Sequence, residues 1–327
     1  MGEPTLDELE SGVVAGDRVL LARAITLVES RHGDDQARAA RLLARLRPRA
    51  GGAHRIGISG VPGVGKSTLI EALGTRLVER GRRVAVLAVD PSSTLSGGSV
   101  LGDKARMDRL TAMEGAFIRP SPSADTLGGV ARRTRETMEL VEAAGFDVVL
   151  IETVGVGQSE VAVADMVDAF VVLMLPAAGD ELQGIKKGIL ELADVVAVNK
   201  ADGELLPHAR AAVRDYSAAL RYLPRRSRAW RPRAVAVSAR TGAGLDELWS
   251  VLEEHRAALQ AAGELEERRR GQRLRWMWGR IEEGLLAAFR EHPAVRAALA
   301  EHEAAVRAGE LGPDEAAEEL LRRFSPG

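Results

Sequence analysis

The nine residues Gly60-Val61-Pro62-Gly63-Val64-Gly65-Lys66-Ser67-Thr68 fill the spacing G-x-x-x-x-G-K-[ST] without a mismatch. The glycines let the backbone curl so that several N–H groups face one anion. The positive end of a following helix adds a partial charge of about +0.5 at the same place. Lys66 is expected to reach the β- and γ-phosphates of a nucleoside triphosphate, and the Ser67 hydroxyl to hold a Mg²⁺ bridging them. A strand-like stretch, 55–59, precedes the run and a helical stretch, 68–79, follows it, which is the context this motif needs.

The base is read elsewhere. Asn199-Lys200-Ala201-Asp202 follows an apolar run and fits N-x-x-D with Lys at the second place. The Asp202 carboxylate can accept from guanine N1–H and the 2-amino group, whereas adenine presents a lone pair at N1 and no 2-amino group. A site built on such pairing rejects the unmatched base by ~10⁴-fold. Lys200 is expected along the ring plane and Asn199 as a tie to the phosphate loop. Ser238-Ala239-Arg240, after the next apolar run, offers backbone N–H groups to guanine O6. The expected nucleotide is therefore GTP or GDP.

Carboxylates must also approach the γ-phosphate. Glu152 follows the run 148–151 and opens Glu152-Thr153-Val154-Gly155, where a D-x-x-G would place Asp on Mg²⁺. Glu can do the same work with one more methylene, and the Gly155 N–H can meet the γ-phosphate, making 154–160 a switch. Asp90 ends the run 84–89 and so faces the nucleotide too. Asp103 sits in a Gly-rich stretch, 96–104, and is either a further metal ligand or an ordinary loop aspartate. Residues 176–188 combine small residues with paired charges. They read either as a loop entering a helix or as a third switch in which Lys186 supplies transition-state charge. Gln158 is either a water-positioning group or a structural one.

Seven short apolar runs must position these residues: 56–59, 84–89, 116–119, 148–151, 170–175, 195–198 and 234–237. Most are continuously apolar, as strands buried on both faces of a parallel sheet are. Helical stretches such as 129–144 and 204–223 lie between them. The expected fold is α/β, with a mostly parallel central sheet and ligands at the carboxyl ends of its strands. Residues 1–50 repeat apolar residues at helical spacing and read as an N-terminal helical arm; residues 51–260 carry the α/β pattern. Residues 261–327 read as a helical extension, with a stripe at Leu274, Trp278, Ile281, Leu285 and Phe289 that packs on a partner subunit or on its own domain. The run Arg268-Arg269-Arg270 is expected as a solvated face paired with neighbouring Glu.

With no cysteine, a disulfide framework, Cys-ligated zinc and a thiol nucleophile are excluded, and a reducing cytoplasm fits. The histidines show no ligand spacing. A net charge of −2 gives no electrostatic reason to expect nucleic acid. No apolar run is long enough to span a membrane, and the acidic first ten residues are unlike a signal peptide.

Residues 60–68, Asp90-Pro91-Ser92-Ser93, the stretch from Glu152 through Val156-Gly157-Gln158-Ser159-Glu160, and Asn199–Asp202 together closely resemble MeaB/ArgK-type GTPases. These are bacterial relatives of the human methylmalonic aciduria type A protein. The resemblance covers nearly the whole chain, and Glu152 followed by Thr-Val-Gly-Val-Gly-Gln is its most specific part. It implies a homodimeric GTPase chaperone that gates cofactor loading of an adenosylcobalamin-dependent acyl-CoA mutase, usually methylmalonyl-CoA mutase, and protects that enzyme. It also implies Lys66, Ser67, Asp90, Asp103 and Glu152 at the Mg²⁺–phosphate site, Asn199, Lys200, Asp202 and 238–240 at guanine, and 180–188 as the third switch.

Three rivals stand beside this reading. A metal-delivery GTPase would need a Cys/His cluster, and the chain has none. A GTP-dependent kinase would need an acceptor pocket. A signal-recognition-type targeting GTPase would need a Met-rich or basic extension, which seven scattered Met do not supply.

Overall fold

The computed structural model describes residues 3–30, 32–89, 107–120, 127–153, 159–176 and 187–324. In chain order the elements are α1 (Leu6–Ala15), α2 (Arg18–Glu29), α3 (Gly33–Leu46), β1 (His54–Gly60), α4 (Lys66–Glu79), β2 (Val84–Val89), α5 (Asp108–Thr111), β3 (Ala116–Arg119), α6 (Leu127–Ala143), β4 (Val148–Thr153), α7 (Ser159–Ala164), β5 (Ala169–Met174), α8 (Lys187–Leu192), β6 (Val195–Val198), α9 (Leu206–Ala219), β7 (Arg233–Ala236), α10 (Leu245–Ala261), α11 (Glu264–Glu291), α12 (Pro293–Ala308) and α13 (Pro313–Phe324). All seven expected strands form, and they pair in parallel in the order β3-β2-β4-β1-β5-β6-β7.

Side chains alternate across each strand, so the sheet builds two cores. Ile56, Ile58, Val86, Leu150, Val171 and Ala197 pack on one face against Leu69 and Leu73 of α4 and Leu248 and Leu252 of α10. Leu87, Val149, Ile151, Phe170 and Val172 belong to the opposite core, with Leu140 and Val141 of α6 and Leu9, Val13, Leu21, Ile25 and Leu42 of the N-terminal helices. The arm is therefore part of the sheet's own packing. A Thr5–Glu8 capping box starts α1, and the Asp17 carboxylate caps α2. Arg119 of β3 forms a two-bonded ion pair with Glu29 of α2, fastening arm to sheet.

The chain divides into two compact units, Met1–Arg269 and Arg270–Gly327. In the second, Val295, Ala298 and Leu320 are buried between α12 and α13, and the Phe289 and Phe324 rings meet edge-on at 5.5 Å. The stripe expected on α11 is open at Leu274, Trp278, Ile281 and Leu285, with Trp278 55% and Leu285 57% exposed. Phe289 instead packs against the small C-terminal cluster.

The reading of the arginine run needs correction. Arg269 is buried and binds the Asp168 carboxylate through two nitrogens, at 2.8 and 2.6 Å, and also the Ala53 carbonyl at 2.8 Å. Arg268 binds Asp194 at 3.1 Å. Their partners are aspartates at strand beginnings, distant in sequence, rather than the glutamates one helical turn away. Burial raises the pKa of both Asp168 and Asp194, but their cationic and hydrogen-bonding neighbours outweigh it and hold both below the usual carboxylate range.

Candidate nucleotide site

Beside β1 at the centre of the sheet, strands with different connections diverge, and the carboxyl end of such a point is where open α/β sheets bind ligands. β1 ends at Gly60, whose φ of 151° and closeness to the Leu173 carbonyl exclude a side chain: a Cβ there would lie 2.7 Å from that oxygen. The loop closes at Gly65, φ 95°, where a Cβ would strike the Asn199 amide nitrogen at 2.7 Å. Gly65 is the N-cap of α4 and no side chain caps that helix. Among the described residues no side chain accepts from the N–H groups of its first turn, the arrangement that favours phosphate.

Lys66 opens α4 and is buried. Its ammonium donates to the Gly60 carbonyl at 2.8 Å and the Val61 carbonyl at 3.3 Å. Burial pushes its pKa below the ordinary lysine value, against the opposing pull of the Glu152 and Glu160 carboxylates. Ser67, next along, donates its hydroxyl to Glu152 Oε1 at 2.8 Å. Glu152 lies within β4, opposite Ile58 of β1 and Ala88 of β2. The strand runs two residues beyond the expected 148–151, because parallel pairing with β2 continues through Thr153 despite the change to polar side chains. The Thr153 hydroxyl donates to Ser59 Oγ at 2.9 Å inside the sheet, which fixes the ends of β4 and β1 together beneath the loop.

Ser67 and Glu152 are hard oxygen donors side by side, a fit for Mg²⁺, which takes few protein ligands and fills its octahedron with phosphate and water. No group of three or more His, Cys, Asp or Glu able to hold a metal occurs among the described residues.

At the base end, Asn199 follows β6 and is buried. Its amide donates to the Val64 carbonyl at 2.8 Å, and its oxygen accepts the Ala239 N–H at 3.0 Å. One side chain thereby joins the phosphate loop, the β6 loop and the β7 loop. Lys200 has φ 59°, the one positive value outside glycine among the described residues, and marks the sharp turn needed between Asn199 and Asp202. Asp202 accepts from the Ser238 hydroxyl and the Arg240 guanidinium, and these two bonds hold its carboxyl below the ordinary aspartate pKa. It stands ionised at neutral pH, acceptor-only, with Ala201 N–H anchored on the Val237 carbonyl at 3.0 Å.

Of the three N–H groups expected at guanine O6, Ser238 donates to the Ala243 carbonyl at 2.9 Å and Ala239 to Asn199. Arg240 N–H is the one that keeps no protein acceptor among the described residues. Asp90, Asp103, Gly155, Gln158 and Lys186 lie outside the described residues. Sequence reasoning gave no separate role to Glu160, buried in the first turn of α7 and acting electrostatically on Lys66; its only signal was its place at the end of the Glu152 motif. The Ser59–Thr153 bond had no local signal, since it depends on strand register.

The family model described as "Methylmalonyl Co-A mutase-associated GTPase MeaB" matches residues 21–294. A "Probable GTPase" of Mycobacterium tuberculosis (strain ATCC 25618 / H37Rv) is 59% identical over 319 residues, 98% of this chain and 95% of that one. The "Methylmalonic aciduria type A homolog, mitochondrial" of Mus musculus is 50% identical over 332 residues, covering 98% and 79%. The solved structure "LAO/AO transport system kinase" superposes with a TM-score of 0.78 at 39% identity and 98% coverage of both chains. With its phosphate loop, its Asn199 bridge and its ionised Asp202 in one parallel sheet, the chain belongs to the MeaB family of GTPases, related to the methylmalonic aciduria type A proteins.

Proposed function

We propose that this chain binds GTP with Mg²⁺, hydrolyses it slowly, and uses the cycle to gate cofactor loading of an adenosylcobalamin-dependent acyl-CoA mutase, methylmalonyl-CoA mutase first among them. The observation that carries the nucleotide part is the Asn199 bridge, which sets phosphate-binding and base-reading loops at a fixed spacing. The mutase part rests on membership of a family described as methylmalonyl-CoA mutase-associated.

In this reading Lys66 leaves the Gly60 and Val61 carbonyls for the β- and γ-phosphates, and N–H groups of 60–68 surround them. Mg²⁺, when bound, would supply neutralising charge for the phosphates. Ser67 and Glu152 would hold it from the described part of the chain, and Asp90 and Asp103 would complete the set. Asp202 accepts from guanine N1–H and the 2-amino group, Arg240 N–H donates to O6, and Lys200 lies along the ring. The Gly155 N–H meets the γ-phosphate as water attacks in line. Lys186, brought in when 176–188 meets the mutase, adds transition-state charge; assistance of that kind is worth ~10³–10⁵ elsewhere. The protein works in the cytoplasm as a homodimer, for which the open stripe Leu274, Trp278, Ile281 and Leu285 is the support.

The test is GTP turnover by the purified protein, alone and with adenosylcobalamin-dependent acyl-CoA mutases added singly, with Lys66→Ala as the inactive control. Stimulation by one mutase supports the proposal and names the client; no stimulation by any, with GTP still bound, removes the mutase part. A kinase reading is favoured by the description of the 39% identical structure. It predicts transfer of γ-phosphate from GTP to an acceptor other than water, a result that would replace the slow-hydrolysis cycle.

A further inference from the structure

β1 runs from His54 to Gly60, so its first residue lies about 20 Å from the phosphate loop, at the opposite end of the sheet. A pocket of about 210 Å³ opens there, between the beginnings of β1 and β4 and the end of α10. His54, Trp249, Arg256, Arg82, Glu253 and Asp147 line it, all within the first compact unit.

Two features of the lining are unexplained by packing. His54 is 2% exposed, yet its Nε2 has no hydrogen-bond partner. A buried polar atom left so is costly unless something else serves it. Arg256 is half-buried and donates to the Gly52 carbonyl at 2.8 Å, but has no carboxylate partner among the described residues. Two acids line the pocket as well: Asp147 accepts the Arg83 N–H at 2.8 Å, and Glu253 pairs at 3.8 Å with Arg82 at the rim, which leaves Arg256 as the lining cation without an ion pair among the described residues. The Trp249 indole, buried and tilted 51° to the His54 ring at a centroid distance of 5.9 Å, supplies an apolar wall. Burial holds the His54 imidazole near a pKa of about 3, so the ring is neutral, and in its Nε2–H tautomer it is a donor.

A guanidinium that feels the Asp168 and Glu142 carboxylates only at a distance, without an ion pair of its own among the described residues, a neutral imidazole and an aromatic wall suit a monoanion with an apolar body. We propose that this pocket binds a small organic carboxylate, its charged end on Arg256 and His54 and its apolar part against Trp249. Neither the phosphate loop nor the base loop contributes to it, so this binding is separate from the nucleotide chemistry.

Benzoate and butyrate are the probes, and butylammonium is the charge control. The full chain, carrying ¹³C-labelled histidine and loaded with GDP, is titrated by calorimetry and by NMR, with His54→Gln assigning the His54 signal. Saturable carboxylate binding that shifts this signal is expected, weakened about tenfold in Arg256→Gln, the loss of one charge-assisted bond. GTP turnover of Arg256→Gln should match the parent. Should that variant fold poorly, Arg82→Gln, at the exposed rim, serves in its place and should weaken binding severalfold. A His54 signal unmoved by either acid at tens of millimolar would mean that water alone serves Nε2 and would overturn the proposal. So would equal binding of butylammonium, or undiminished benzoate binding in a folded Arg256→Gln or Arg82→Gln.

Discussion

Asn199 donates to the Val64 carbonyl at 2.8 Å across 135 residues of chain, while the same side chain takes the Ala239 N–H. Replacing it by Ala leaves a carbonyl and an N–H unpaired inside the protein. Asn199→Ala is therefore expected to destabilise the nucleotide-free chain by about 3 kcal/mol and to weaken GTP and GDP alike. Thermal unfolding without nucleotide measures the first effect. An unchanged midpoint would show that the two loops hold their spacing without the bridge.

The Ser67–Glu152 bond predicts a division between binding and turnover. Glu152→Gln keeps the volume and an acceptor for the Ser67 hydroxyl but removes the charge that would face Mg²⁺. GTP turnover should fall by ~10²-fold or more, with a raised Mg²⁺ requirement, while Mg²⁺-free nucleotide binding changes little. Turnover measured across a Mg²⁺ titration distinguishes this from a general loss of affinity.

Asp202 makes a sharper forecast. Asn at this position presents one acceptor and one donor, matching xanthine, which keeps N1–H but carries an oxygen where guanine has its 2-amino group. Asp202→Asn should lose GTP affinity by at least about a hundredfold and gain affinity for xanthosine triphosphate. Competition between the two nucleotides reads the switch directly, and retained preference for GTP would place base recognition elsewhere.

His54 also ties stability to pH. Its ordinary pKa is 6.5 and burial depresses it to about 3 in the fold. Between those values the unfolded chain takes up a proton that the folded chain refuses. Stability therefore rises with pH across this window and falls on acidification, by up to about 1.4 kcal/mol per pH unit. His54→Gln should flatten that part of the thermal-midpoint profile between about pH 4 and 6.5. The depressed Asp168 and Asp194 act in the same sense: their contribution is full above the ordinary carboxylate pKa and is lost as pH falls below it.

The strands were legible because both faces of a parallel sheet are covered, so each appears as a dense apolar run. Val84–Val89, Ala116–Arg119 and Val195–Val198 form within the expected bounds. The nucleotide motifs were legible because loop chemistry demands fixed residue types at short spacing. What sequence could not supply was pairing over long separations. Arg268 and Arg269 looked like a solvated face paired with neighbouring Glu, but the buried carboxylates awaiting them stood beside β5 and β6. The commitment of the Ser238 and Ala239 N–H groups inside the protein was hidden for the same reason.

The Arg269–Asp168 pair bears on how the chain is made. Asp168 is synthesised 101 residues before the guanidinium that neutralises it. At ~5–20 residues per second, the ribosome leaves that aspartate without this counter-ion for about 5–20 s. Until then Asp168 has the Arg55 N–H and charge, so a chain stopped at residue 260 would hold every nucleotide motif yet carry a buried carboxylate short of its two-bonded partner. The full set of bonds to Asp168 therefore forms only once α11 has emerged, after the last segment that touches GTP in the proposed mechanism.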